Sequence, residues 1–237
     1  MENCCKCELC SANQAVKQAQ ITSENTAAKD LGVIFSSGIG DLTTIQEQVI
    51  KMHEKGPKRV SPMFVLTAIV NMAADNIALR IGAKNICTSA VTACASGTNA
   101  IGEAYRQIKE GRAKVIVAGG AEASVNAHGT ATKANDAAEA KAINLVFGED
   151  SRVLVGSTKA MTGHLLGAAG AIETIAVVAS LQKGRLPVNI GMTEQDKECK
   201  VNVVTQAKAH PEKLEYALSN SLGFGGHNAV LAFRKWS

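Results

Sequence analysis

Short apolar runs alternate with longer stretches of helical spacing along the chain. Residues 31–35, Leu-Gly-Val-Ile-Phe, are an apolar run halted by Ser36-Ser37-Gly38-Ile39-Gly40, which predicts a buried strand feeding a tight loop. Residues 42–55 carry helical spacing. A basic loop, Lys55-Gly56-Pro57-Lys58-Arg59, follows and is closed by Ser61-Pro62, and residues 63–80 read as one long apolar helix. The theme continues with a strand over 85–93, a helix over 96–109 ending at Gly111, and a strand over 114–117 that runs into Ala118-Gly119-Gly120. Further on, the pattern predicts a short strand at 125–127, a helix at 136–146, a strand at 152–155 and a small-residue helix over 161–182. Two final strands, 216–218 and 229–233, flank Gly223-Phe224-Gly225-Gly226. Ahead of all these, residues 12–19 look helical. Strands alternating with helices imply a parallel sheet covered on both faces.

Composition supports this class. Of 237 residues, 46% are hydrophobic and 19% charged, enough apolar material for a sizeable core and too much for a disordered chain. Aromatics are only 3%, so Ala, Val, Ile and Leu must build that core, which suits an α/β fold better than an aromatic-rich sandwich. The net charge of +4 comes without a clustered basic face interleaved with aromatics, which argues against a nucleic-acid partner. The apolar stretches are too short for a membrane span, and Glu173 interrupts the best of them. No basic-then-apolar leader pattern opens the chain, so a cytoplasmic protein is expected.

Four of the seven cysteines, Cys4, Cys5, Cys7 and Cys10, crowd into the first ten residues. The odd count and the unrelated contexts of Cys87, Cys94 and Cys199 argue against a disulfide framework. The head, CCKCELC, offers soft-metal ligands, yet its spacing does not match the two separated pairs of a structural zinc site. It is expected to be a mobile terminus.

Cys94 is the most informative single position. It stands in Thr92-Ala93-Cys94-Ala95-Ser96-Gly97, between an expected strand and an expected helix. A thiol there meets the positive end of a helix dipole, which favours thiolate, and small neighbours leave room for a substrate. The competing reading is a buried small hydrophobe, which is how most free cysteines behave. His128 and His164 each follow a strand and are flanked by Gly and Thr, on the sheet edge where α/β folds bind ligands. A thiol and two imidazoles on that edge would suit acyl transfer. Lys159 lies between the histidines, with Glu139 as its expected ion-pair partner. In the glycine-rich segment, Phe224 is a candidate to close an acyl pocket and to offer its N–H to an oxyanion.

The stretches VTACASGTNAIGEAYRQIKEGRAKVIVAGGAEA, VNAHGTATKANDAAEAKAI, STKAMTGHLLGAAGAIE and SNSLGFGGHNAVLAF, in this order, resemble the β-ketoacyl-[acyl-carrier-protein] synthases of the elongating, synthase II type. The resemblance covers almost everything after residue 10. It implies a thiolase-like α/β fold of two duplicated, mostly parallel sheet halves with helices between, here over 11–124 and 125–237, behind a head at 1–10 foreign to the family. Cys94 would carry the growing acyl chain as a thioester. His128 and His164 would assist decarboxylation of the malonyl thioester and stabilise its enolate, and Lys159 with Glu139 would keep their hydrogen bonding in order. The N–H groups of Cys94 and Phe224 would form an oxyanion hole. Thr130, Thr132 and Gly225 would meet the substrate, which arrives on the phosphopantetheine arm of acyl carrier protein. The resemblance implies no obligatory cofactor. A monovalent cation would be held by Asn126, Ala127, Glu173, Ser219 and Asn220. Lys58 and Arg59 would dock the acidic carrier protein, and two copies would form a homodimer along the strand at 85–93.

The chain departs from the family twice. The family's opening strand and first helix are absent at the amino end. After Ala121-Glu122-Ala123-Ser124 the sequence also passes straight to Val125-Asn126-Ala127-His128, where the family has a long intervening region. Both halves are thus truncated. The resemblance implies a decarboxylative Claisen condensation. The departures keep open a catalytically impaired fragment that binds carrier protein or dimerises, or a chain that is acylated without condensing.

Overall fold

The computed structural model describes residues 3–121, 132–149, 151–205 and 214–236. These fall into two compact units. The first comprises Met1–Val125, Leu165–Ile172 and Asn220–Leu231, and the second Asn126–His164, Glu173–Ser219 and Ala232–Ser237.

In the first unit the elements are α1 (Asn3–Gln18), β1 (Leu31–Ser36), α2 (Leu42–Lys55), α3 (Phe64–Ala68), α4 (Met72–Ile81), β2 (Cys87–Thr88), α5 (Ser96–Lys109) and β3 (Val115–Gly120). The strands form a parallel sheet in the order β2-β1-β3, with Val33 opposite both Cys87 and Val117. All six residues of β1 are buried. Side chains alternate across a strand, and here the alternation sorts the core into two layers. Leu31, Val33 and Phe35 join Ala73, Ala74, Ile77 and Ala78 of α4 and Ala12 of α1. Ile34 joins Ala100 and Ala104 of α5. Val33, Ile34 and Ile77 are fully enclosed, and each contributes roughly 1.5–3 kcal/mol by leaving water.

The second unit carries α6 (Lys133–Phe147), β4 (Leu154–Val155), α7 (Lys159–Thr162) and β5 (Asn202–Val203). β4 and β5 pair in parallel, Leu154 against Asn202 and Val155 against Val203. Three elements run on between the two sets of residues: α8 (Ala169–Lys183), β6 (Tyr216–Gly223) and β7 (His227–Arg234). β6 and β7 are hydrogen-bonded neighbours joined by only Phe224–Gly226, a connection that antiparallel strands alone can use.

The structure corrects several expectations. The cysteine head is no mobile tail: α1 starts at Asn3 and runs unbroken to Gln18, anchored by buried Ala12 with Leu9 and Val16 against the core. The helix expected over 63–80 is split between α3 and α4. The Ala68 carbonyl that would continue it accepts the Asp41 N–H instead, at 3.3 Å. Gly40, at φ +87°, makes that approach feasible, since a Cβ there would stand 2.3 Å from the same oxygen. The strand expected over 85–93 shrinks to Cys87–Thr88. Beyond it, side chains replace the ladder: Ser89 Oγ donates to the Phe35 carbonyl at 2.7 Å, and Ser36 Oγ accepts the Ala90 N–H at 2.9 Å. The small-residue helix over 161–182 becomes α7 and α8, separated by Gly163 at φ +74° and Leu166 at φ +45°. The strand expected at 125–127 lies outside the described residues.

Candidate functional site

The nucleophile candidate is held by a turn with a strained backbone. Cys94 is the middle residue of a short 3-10 turn, Ala93–Ala95, that runs directly into α5, and it is buried. The residue before it, Ala93, adopts φ +47°, a left-handed conformation that costs an L-residue about 1–2 kcal/mol. Such strain persists only where the surroundings impose it. Here the surroundings are hydroxyls and amides: Ser96 Oγ donates to the Ala93 carbonyl at 2.7 Å and accepts the Thr92 N–H at 2.9 Å, while Asn99 Nδ2 donates to Thr92 Oγ1 at 2.7 Å. Ala95, at the N-cap of α5, has no side-chain oxygen to neutralise the helix's positive end. The geometry therefore presents a thiol at an uncapped helix start, on a turn fixed from both sides.

Small residues close the first unit around this turn. A Cβ on Gly97 would lie 2.8 Å from the Gly167 carbonyl oxygen, and one on Gly120 would lie 2.6 Å from it. A Cβ on Gly170 would meet Thr98 Oγ1 at 1.8 Å. Gly223 sits over the turn as well, its absent Cβ 2.9 Å from the Thr92 carbonyl oxygen. The structure thus brings the Cys94 turn and the Phe224 turn together through their backbones. The Phe224 ring, however, is 85% exposed at the tip of the ribbon, where sequence had placed it closing an acyl pocket. The following Gly225 takes φ +79° beside the His227 ring.

Within the second unit, Lys159 opens α7 and its Nζ is ion-paired with the carboxylate of Glu173 on α8. Sequence had paired this lysine with Glu139, which sits half-buried on α6. The actual partner stands fourteen residues on, beyond Gly163 and the bend before α8, and no local periodicity links the two. His164 is buried in this unit, two residues past the end of α7. Thr158 and Thr174, the neighbours of the paired residues, carry buried hydroxyls without a hydrogen-bond partner among the described residues.

The remaining candidates divide as follows. His128, Thr130, Asn126 and Ala127 lie outside the described residues. Thr132 is exposed at the N-cap of α6 without a capping hydrogen bond. Lys58 and Arg59 are exposed in a 3-10 turn, Pro57–Arg59. Ser219 is buried and Asn220 half-buried on β6. The cation set implied by the resemblance contains one anionic ligand, Glu173, and that carboxylate is neutralised by Lys159. Asn126 and Ala127, two of the five, lie outside the described residues.

Two thiols outside this site are held neutral. Burial, together with a hydrogen bond from Cys87 Sγ to Asp75 Oδ1 (3.2 Å) and that carboxylate's charge, pushes the Cys87 thiol up to about 11. Burial, with Asp196, Asp136 and Glu198 nearby, also raises the Cys199 thiol. Both are poor nucleophiles at neutral pH. Sequence inspection missed the left-handed Ala93 and the Ser96 bridge. Its only trace of them was the run of small residues around Cys94.

Known proteins resemble this chain in sequence and in fold. Residues 89–193 match the family described as Beta-ketoacyl synthase, C-terminal domain. The 3-oxoacyl-[acyl-carrier-protein] synthase 2 of Staphylococcus aureus (strain N315) is 31% identical over 332 aligned residues, spanning 95% of this chain and 80% of the relative. The protein of the same name from Synechocystis sp. is 28% identical over 343 aligned residues, spanning 100% of this chain and 82% of the relative. Each alignment is longer than the chain, so each relative has a long stretch without counterpart here. Among solved structures, the ishigamide ketosynthase/chain length factor superposes with a TM-score of 0.89 at 20% identity, covering 100% of this chain and 83% of that one. A ketosynthase bound to the hexaketide, in complex with its type II polyketide acyl-carrier protein, gives a TM-score of 0.87 at 20% identity, covering 97% and 84%. The fold is the thiolase-like ketosynthase fold.

Proposed function

The chain belongs to the β-ketoacyl synthase family, and on that premise we propose that it is an acyltransferase joining an acyl chain to a malonyl unit, with Cys94 as the nucleophile. The observation that carries this reading is the placement of Cys94. It is a buried thiol on a turn strained at Ala93, directly before an uncapped helix, in the part of the chain that matches the family. The Cys94 thiolate attacks the carbonyl of an acyl thioester on the carrier's phosphopantetheine arm, expels the carrier thiol and becomes acylated. A malonyl thioester then loses carbon dioxide. The resulting enolate attacks the acyl-Cys94 carbonyl and releases the Cys94 thiolate, leaving a β-ketoacyl thioester on the carrier. Hydrogen-bond donors from His128 and His164 stabilise the enolate oxygen. Lys159, neutralised by Glu173, is a positioning residue for that histidine environment. Thr130, Thr132 and Gly225 line the path of the phosphopantetheine arm.

Acyl carrier protein is the proposed partner. The exposed cations Lys58 and Arg59 support this, since an acidic carrier is drawn to such a turn. A second copy along β2 would complete a homodimer. No helix among the described residues is long and apolar enough to cross a membrane.

Intact-protein mass spectrometry after incubation with acyl carrier protein bearing an acyl chain tests the reading. An acyl adduct on the wild type and none on Cys94→Ala is expected. A folded wild-type sample that takes no acyl group would overturn it and leave a carrier-binding chain without condensing activity.

A further inference from the structure

We infer that Ser96 is a positioning residue for the nucleophile: it pins the peptide joining Ala93 to Cys94 and so holds the thiol at the start of α5. The inference rests on the reading of Cys94 as the acylated residue, and it names the group that places that residue.

Three hydrogen bonds from one side chain and its own backbone carry the inference. Ser96 is fully enclosed, and its hydroxyl donates to the Ala93 carbonyl at 2.7 Å. The Ser96 backbone N–H donates to the same carbonyl oxygen. The Oγ also accepts the Thr92 N–H at 2.9 Å. One residue therefore grips the chain on both sides of Ala93, whose backbone at φ +47° would otherwise relax to negative φ.

The grip reaches Cys94 through the peptide plane. The Ala93–Cys94 peptide is trans, so its carbonyl and its N–H point opposite ways. Pinning the carbonyl on Ser96 turns the Cys94 N–H away from Ser96 and fixes the direction in which the Cys94 Cα leaves the plane. The hydroxyl acts on backbone alone. Its single proton is committed to the Ala93 carbonyl, so Ser96 sets where the sulfur stands without donating to it.

Thr92 is the second point of support. Its carbonyl accepts the Ala95 N–H at 3.0 Å, and its Oγ1 accepts from Asn99 Nδ2 at 2.7 Å. Asn99 thus steadies the bracket from the first turn of α5, and its loss should weigh less than that of Ser96. The account also makes a specific demand on position 93. Glycine adopts positive φ without steric cost, so a glycine there should need the bracket far less than alanine does.

The test follows Cys94 in two ways. Intact-protein mass spectrometry times its loading from acyl carrier protein. Peptide mapping times its alkylation by iodoacetamide, which needs no carrier, with exposed Cys10 as the reference within the chain. Ser96→Ala should lower the maximal loading rate at least tenfold and leave the half-saturating carrier concentration within twofold. Its Cys94 alkylation at pH 7 should fall at least fivefold relative to Cys10. Adding Ala93→Gly to Ser96→Ala should recover at least half of the lost loading rate, which a merely structural role for Ser96 would not allow. Asn99→Ala keeps Ser96 and should slow loading about threefold to fivefold, and it decides the matter if Ser96→Ala does not fold. Wild-type loading in the folded Ser96→Ala chain, or in Asn99→Ala where that chain does not fold, would overturn the role. So would a folded double variant that recovers nothing, or a loss confined to the half-saturating concentration. A wild type that alkylates at Cys94 but never loads would retire the condensing reading alone, and the alkylation ratio would still decide the role of Ser96.

Discussion

Thr98 Oγ1 lies 2.6 Å from Ser221 Oγ, both residues buried and 123 positions apart in sequence. The contact joins α5, the helix that starts beside Cys94, to β6, the strand that leads into the Phe224 turn. Losing one hydroxyl leaves the other buried and unpaired, which costs about 1–3 kcal/mol, whereas losing both removes the orphan. Ser221→Ala and Thr98→Val should therefore each destabilise the chain in urea denaturation, and the double variant should lose less than the sum. Strict additivity would show that the two hydroxyls act independently.

Two glycines of α5 should respond in opposite ways to alanine. At Gly97 a methyl would meet the Gly167 carbonyl oxygen at 2.8 Å and the Ala171 nitrogen at 3.0 Å, both backbone atoms that cannot swing aside. Gly97→Ala should cost about 1–3 kcal/mol and slow acyl loading of Cys94 at least tenfold. At Gly102 the nearest atom is Leu231 Cδ2 at 3.6 Å, an ordinary contact. There the helix propensity of alanine should stabilise the chain by up to about 1 kcal/mol. Thermal melts of the two variants decide the matter. A neutral Gly97→Ala would mean that α5 and the start of α8 are not held at this spacing.

Lys159→Met leaves Glu173 without its counter-ion. The side chains keep 21% and 15% of their exposure, so the penalty falls below that of a fully buried pair, at about 1–2 kcal/mol. Replacing both residues by Met and Gln should recover part of the loss. If condensation depends on this pair through His164, Lys159→Met should also depress turnover with malonyl carrier protein while acylation of Cys94 proceeds. Equal loss of both steps would point to global damage.

Cys87 and Cys94 should separate under alkylation. With the Cys87 thiol raised to about 11, its thiolate is scarce near pH 8, and iodoacetamide should modify it at least about tenfold more slowly than an ordinary exposed thiol. Its rate should keep climbing as pH rises beyond 9. Asp75→Asn keeps an acceptor oxygen but removes the negative charge, so it should lower this pKa and speed the reaction. Peptide mapping across pH 7–10 reads both effects, and a rate that levels off below pH 9 would contradict the assignment.

Much of the first unit was legible in sequence because its signals are local. The apolar run at β1, the helical spacing of α2 and the small-residue motif around Cys94 each act within a few residues, and α2 and α5 carry the predicted limits. The family motifs likewise marked Cys94, His164 and Lys159 before any fold was known. Interactions between distant residues decided the rest. The Ala68 carbonyl turned to Asp41 and broke a helix that composition alone would have continued. Ser89 and Ser36 hydroxyls ended a strand early. Lys159 found Glu173 because a bend between α7 and α8 returned the chain, a relationship that periodicity does not encode. The first helix is anchored by Ala12, with Leu9 and Val16 packed against a core whose strands and helices come from far along the chain. Sequence singled out the candidate residues for the chemistry, since candidacy follows from residue type and neighbouring motif. Tertiary structure alone determined which charges pair and which backbone is strained, because both depend on atoms brought together from far along the chain.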